Sequence, residues 1–128
     1  MSLPSSNKLL YVWGNNYHGQ LGLGDEAVLK WIKDPTELNA PHGTAWIQVA
    51  CGRNHTAAIS SNGDLFTWGN GWSGQLGHGN KTDRHAPTKV KIPGGEAVIK
   101  VVCGDDQTAA VTATGKLFTW YVSSYYAF

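Results

Sequence analysis

Leu65-Phe66-Thr67-Trp68-Gly69-Asn70, followed by Gly74-Gln75-Leu76-Gly77-His78-Gly79, decides the fold because the chain carries it twice. The other copy lies 55 residues earlier, as Leu10-Tyr11-Val12-Trp13-Gly14-Asn15 and Gly19-Gln20-Leu21-Gly22-Leu23-Gly24. A second block obeys the same rule. Val49-Ala50-Cys51-Gly52, Thr56-Ala57-Ala58 and Gly63-Asp64-Leu65-Phe66-Thr67-Trp68 return 52 residues later as Val101-Val102-Cys103-Gly104, Thr108-Ala109-Ala110 and Gly115-Lys116-Leu117-Phe118-Thr119-Trp120. Pro35-Thr36 and Pro41 match Pro87-Thr88 and Pro93 at the same offset of 52. The three-residue difference between the offsets therefore falls between Gly24 and Pro35, and Ala27-Val28-Leu29-Lys30-Trp31 reads as a loop insertion. Self-similarity at a fixed period is the signature of a repeat architecture.

Each unit reads as short strands, at 46–50, 55–60, 64–68 and 88–92 in the middle one, each apolar or alternating and bounded by Gly, Pro or Asn. Ser61-Asn62-Gly63-Asp64 predicts a two-residue hairpin of type I′, since Asn and Gly tolerate the positive φ that turn demands. Thr114-Gly115 holds the same place one unit later. No helix of useful length is visible. An all-β unit of four strands and about 52 residues describes one blade of a β-propeller, which buries its faces only against neighbouring blades.

Composition agrees. Among 128 residues, 16 Gly and 6 Trp with only 15% charged side chains argue against disorder and against a coiled coil. A net charge of +1 gives no strong nucleic-acid signal and none for an anionic membrane, both of which draw on clustered Lys and Arg. Lys81, Arg84, Lys89 and Lys91 read as a solvated face. No apolar run reaches the ~18 residues of a membrane span, and the opening residues carry no signal-peptide pattern, so the expected location is intracellular, cytoplasmic or nuclear.

The pattern Trp-Gly-x4-Gly-Gln-Leu-Gly-x-Gly, joined to Val-x-Cys-Gly-x2-His-Thr-x-Ala, resembles the repeats of the regulator of chromosome condensation (RCC1-type) family. The resemblance implies blades of four-stranded antiparallel sheet from a ring of about seven. Here it covers a partial set of two to three blades: a partial blade at 9–45, a full blade at 46–97 and a partial blade at 98–120. Residues 1–8 read as a flexible N-terminus, and 121–128 as an atypical tail, because Trp120 should be followed by Gly and a Gly-Gln-Leu-Gly element. The repeat stops abruptly, as in a fragment or truncated product. Its open blade faces and edges invite self-association, and copies of the chain could close a ring together.

The recurrent residues form the structural frame of the repeat. Trp13, Trp68 and Trp120 are assigned to packing between blades, and Gly14, Gly69, Gly52 and Gly104 to the structural repeat with them. Gly19-Gln20-Leu21-Gly22 and Gly74-Gln75-Leu76-Gly77 are the matching loops. Cys51 and Cys103 occupy equivalent sites on successive blades, about 10 Å apart and beyond disulfide reach, and read as small buried hydrophobes.

No constellation for catalysis, metal or cofactor emerges. Gly69-x-Gly71-x-x-Gly74 has dinucleotide-binding spacing, yet Gln75-Leu76-Gly77-His78-Gly79 cannot open the helix such a site needs. His18, His42, His55, His78 and His85 lack metal-ligand spacing. The expectation is a non-catalytic protein-protein interaction module that presents loops to a protein partner. Arg53-Asn54-His55 and its counterpart Asp105-Asp106-Gln107 put different charge on one framework, which is where a repeat scaffold places recognition. Tyr17 and Trp72, inside the x4 stretch, are candidate aromatic anchors. The alternative implied by the resemblance is a guanine-nucleotide exchange factor, or other regulator, of a Ran-like small GTPase. That activity needs a complete propeller face rather than a catalytic side chain.

Overall fold

The computed structural model describes residues 9–121. Nine strands form: β1 Tyr11–Asn15, β2 Trp31–Glu37, β3 Trp46–Cys51, β4 His55–Ser60, β5 Leu65–Gly69, β6 Arg84–Lys89, β7 Val98–Cys103, β8 Thr108–Thr112 and β9 Leu117–Trp120. They make three antiparallel meanders, β1-β2, β3-β4-β5-β6 and β7-β8-β9, each pairing only strands consecutive in sequence. By the repeat, β1 and β2 correspond to β5 and β6, whereas β7 to β9 correspond to β3 to β5. The fold is all-β, a partial set of propeller blades. The expected flexible segment at 1–8 and, apart from Tyr121, the atypical tail lie outside the described residues.

Among the described residues, the middle sheet carries the core because it alone has a neighbour on both faces. Every residue of β4 and β5 is buried. Successive strand residues point to opposite faces, and adjacent alanines divide accordingly. Ala57 joins Ile59, Leu65, Val90 and Ile92 against Val98, Val101 and Ala110 of the following blade. Ala58 joins Trp46, Phe66 and Trp68 against Leu38, Leu10 and Val12 of the preceding one. Trp46 meets Phe66 edge-on, with ring centroids 5.5 Å apart at 82°. β7 lies against both β3 and β4, so the sheets converge at their first strands.

Two local expectations are corrected. The β4–β5 hairpin forms, but its connection has three residues: Ser60 N–H donates to the Asp64 carbonyl and Gly63 N–H to the Ser60 carbonyl, both at 2.9 Å. Only Gly63, at φ +86°, is left-handed there, so this is not the type I′ turn, which needs two such residues. The fourth strand runs over Arg84–Lys89 rather than 88–92, with Pro87 inside it. As the outermost strand, β6 has a free edge toward which a residue lacking an N–H can turn.

The segment between Gly24 and Pro35 that holds the insertion forms a 3-10 turn at Asp25–Ala27, and Trp31, expected within the loop, instead opens β2. Asn16, fully buried, anchors the turn through Nδ2–H to the Ala27 carbonyl at 2.7 Å, while the Asp25 carboxylate reaches His85 Nδ1 of β6 at 2.8 Å. Asn16 stands where the second unit has Gly71, a difference that the pattern of motifs left without a role.

Candidate interaction face

Strands one and three of an antiparallel blade run in the same direction, so the loops that follow them emerge at one edge. That edge gathers the loop 52–54, its counterpart 104–107, and the long loops after β1 and β5. Asn70 N–H donates to the Asn54 carbonyl at 2.8 Å, tying two of these loops together within the middle blade. Arg53 crosses to the next blade. Its N–H donates to the Asp105 carbonyl at 3.0 Å, its Nη2 pairs with Asp105 Oδ2 at 3.0 Å, and its Nη1 lies 4.0 Å from Asp106 Oδ2. The side chains of this pair are well exposed, which limits its worth to about 0–1 kcal/mol. Arg53, Asp105, Asp106, Gln107 and Tyr121 line a shallow cleft between the blades.

Tyr17 and Trp72 occupy the same position of their two turns, 55 residues apart. Each backbone N–H donates to the side-chain oxygen of the Asn two residues before it, Asn15 at 2.9 Å and Asn70 at 2.8 Å. These turns project both rings into solvent, Tyr17 53% and Trp72 77% exposed.

His55 does not belong to this exposed set. Only 1% accessible, it points into the seam between blades, where Nε2 lies 3.1 Å from the Gln107 carbonyl and 3.0 Å from Thr108 Oγ1. Thr108 Oγ1 donates onward to the Gln75 carbonyl at 2.7 Å, so it accepts from His55, whose proton sits on Nε2. Nδ1 has no hydrogen-bond partner among the described residues. Burial pushes the imidazole pKa down, against smaller upward contributions from the Gln107 carbonyl and Asp106. A strand-initial His beside a loop gives no sequence signal for the direction in which it turns.

The seam explains the recurrent frame. Thr56 Oγ1 donates to the Gln20 carbonyl at 2.7 Å, the same bond that Thr108 makes to Gln75. The glycine ending each Gly-Gln-Leu-Gly loop receives the indole of the next blade: a Cβ on Gly22 would sit 2.9 Å from Trp68 Nε1, and one on Gly77 3.0 Å from Trp120 Nε1. Trp68 is fully buried as a result, and Trp120 partly. Trp13 departs from its expected packing role, being 57% exposed, because no such glycine precedes it among the described residues.

Cys51 corrects a second expectation. Both thiols are free, and burial raises that of Cys103 to about 11, but Cys51 is exposed. Among the described residues no group of three His, Cys, Asp or Glu side chains could hold a metal ion, and no helix is long and apolar enough to cross a membrane.

The family model described as Regulator of chromosome condensation (RCC1) repeat matches residues 9–59 and 62–111. The chain belongs to the RCC1 repeat family. A second RCC1 repeat model matches 46–75. Among RCC1 relatives, the chain is 44% identical over 114 residues to the ultraviolet-B receptor UVR8 of Arabidopsis thaliana, covering 88% of this chain and 25% of that one. It is 38% identical to the human probable E3 ubiquitin-protein ligase HERC3, over 89% of this chain and 11% of the ligase. The RCC1-repeat fold is matched by human WBSCR16, with a TM-score of 0.78, 29% identity and coverage of 91% and 29%. Prp20p of Saccharomyces cerevisiae, characterised for its binding to Gsp1p and histones, shares the fold at a TM-score of 0.77 and 24% identity, with coverage of 90% and 29%. The chain thus spans a quarter or less of the length of these curated relatives.

Proposed function

We propose that this chain is a non-catalytic interaction module whose loop edge docks a protein partner. The observation that carries the reading is the pair of equivalent, outward-held aromatics, Tyr17 and Trp72, on the same edge as the charged Arg53, Asp105 and Asp106. Exposed Tyr and Trp on a rigid turn are low-entropy anchors, and a mixed-charge rim beside them sets orientation more than affinity. Asn54 belongs to this edge through its backbone, whereas His55 serves the seam beneath.

A photo-crosslinking side chain at position 72, compared with one at position 62 on the opposite edge, tests the reading in cells that make the protein. Adducts formed from 72 and abolished by Tyr17→Ala with Arg53→Ala support it; equal adducts from both edges overturn it. The narrower form, a small-GTPase partner, draws on the fold shared with the Gsp1p-binding Prp20p. It requires that excess chain bind such a GTPase, and no binding removes it while leaving the docking reading to the crosslinks.

A further inference from the structure

Where the middle blade meets the following one at the loop edge, the side chain that joins them is titratable. The turns 52–55 and 104–107 are equivalent, each closed by its glycine N–H on a carbonyl three residues on, Gly52 to His55 at 2.9 Å and Gly104 to Gln107 at 3.0 Å. His55 fills the space between them. A Cβ on Gly52 would collide with the imidazole at Cε1 and Nδ1 and with the Gly104 carbonyl, so ring, glycine and facing turn are in contact. The ring spans the seam through Nε2–H, to the Gln107 carbonyl and Thr108 Oγ1, whereas Nδ1 is shut off from water without a partner among the described residues. A proton on Nδ1 would place a second donor where the structure offers it neither an acceptor nor room. No charge lies close enough to offset that. Asp105 and Asp106 of the facing turn are engaged by Arg53, at 3.0 and 4.0 Å. β3 and β7 bring the thiols of Cys51 and Cys103, the latter held protonated by burial with a pKa of about 11. The loops after β1 and β5 bring the backbone of Gln20 and Gln75, and β8 the Thr108 hydroxyl, none of which titrates.

We infer that His55 is an acid-operated latch on the loop edge: protonation at Nδ1 drives the imidazole out of the seam and parts the 52–54 loop from 104–107. What then remains across that point is weak. Arg53 N–H still reaches the Asp105 carbonyl, and the exposed ion pair of Arg53 with Asp105 is worth little in water. Deeper in the seam the blades stay joined, because Ala57 and Ile59 pack with Val101 and Ala110, and Gln48 Oε1 accepts from the Val101 N–H at 2.5 Å. Opening is therefore confined to the edge. The closed latch holds Arg53, Asp105 and Asp106 in one aligned surface; the open one leaves two turns that move independently. The latch is a property of the edge and does not depend on what docks there. Gln107, which stands at the same position one unit on, shows that the turn accepts a side chain with no proton to gain.

Hydrogen–deuterium exchange of the full chain between pH 7 and 5, corrected for the intrinsic rate, tests this. Protection of 52–56 and 104–108 should fall as pH drops below 6.5, by about tenfold per unit as for a single proton, while β4 beyond Thr56 and β5 stay protected. The NMR shift of the His55 Cε1 proton should move in step with exchange at 52–56. His55→Gln should show no such pH dependence, and Arg53→Ala, which lacks only the exposed pair, should keep that of the wild type. Wild-type loops equally protected at both ends of the range, the same loss in His55→Gln, a dependence abolished by Arg53→Ala, or protection lost together with β4 and β5 would each overturn the inference. If His55→Gln does not fold, the wild-type ring decides: its titration with exchange at 52–56 unchanged overturns the latch.

Discussion

Gly22 is the floor on which the Trp68 indole rests, and its own backbone is left-handed at φ +76°. Any side chain there meets both penalties, crowding and strain. Gly22→Ala should therefore destabilise the fold by about 1–3 kcal/mol, read as a lower melting temperature and a red-shifted tryptophan emission. His55 yields a second test at this scale. Its folded pKa lies below the ordinary 6.5 because the seam desolvates the charged form. The unfolded chain thus binds the proton that the fold excludes. The contribution is fully present above about pH 6.5 and is lost as pH falls below it. Half-buried His78, lowered by burial and by Arg84, adds in the same sense. His55→Gln, the residue standing at 107, should flatten the fall in denaturation midpoint between pH 7 and 5. The indoles were legible as packing residues because they recur. The turning of His55 away from solvent was not, since it depends on a hydroxyl 53 residues away that no local pattern announces.

Between elements, single hydroxyls tie one blade to the next. Thr108 Oγ1 accepts from His55 while donating to the Gln75 carbonyl, whereas Thr56 serves only the Gln20 carbonyl. Thr108→Val leaves the Gln75 carbonyl without this donor and His55 with the Gln107 carbonyl as its remaining acceptor, and should cost about 1–3 kcal/mol, more than Thr56→Val in the same urea titration. Strand existence was readable from apolar alternation and Gly-rich turns, and the three-residue insertion from the mismatch of offsets. The fourth strand was misplaced because Pro87 reads as a breaker, yet an outermost strand need not donate along its free edge. The turn was mistyped for a similar reason: Asn62-Gly63 fits type I′ locally, but the ladder closes one residue wider.

Across the whole molecule, protection should grade with the number of neighbours a sheet possesses. Amides of β4 and β5, buried on both faces, should be the last to exchange with deuterium, and those of β1, β2 and β9 the first. Uniform protection across the three sheets would contradict this ranking. That the blades are a partial set was legible from the repeat itself, because the unit has a known number of strands. Which candidate residues share an edge required the strand directions, and only then did Tyr17, Trp72 and Arg53 fall together. The bonds from Thr56 to Gln20 and from Thr108 to Gln75 join like positions to like. A genetic event that duplicates or deletes one whole unit therefore leaves the same donor facing the same acceptor at the new junction. Recombination can change the number of blades in a single generation without any side chain having to be selected afresh, and the three extra residues between Gly24 and Pro35 show that a loop can lengthen inside a unit with the same bond kept.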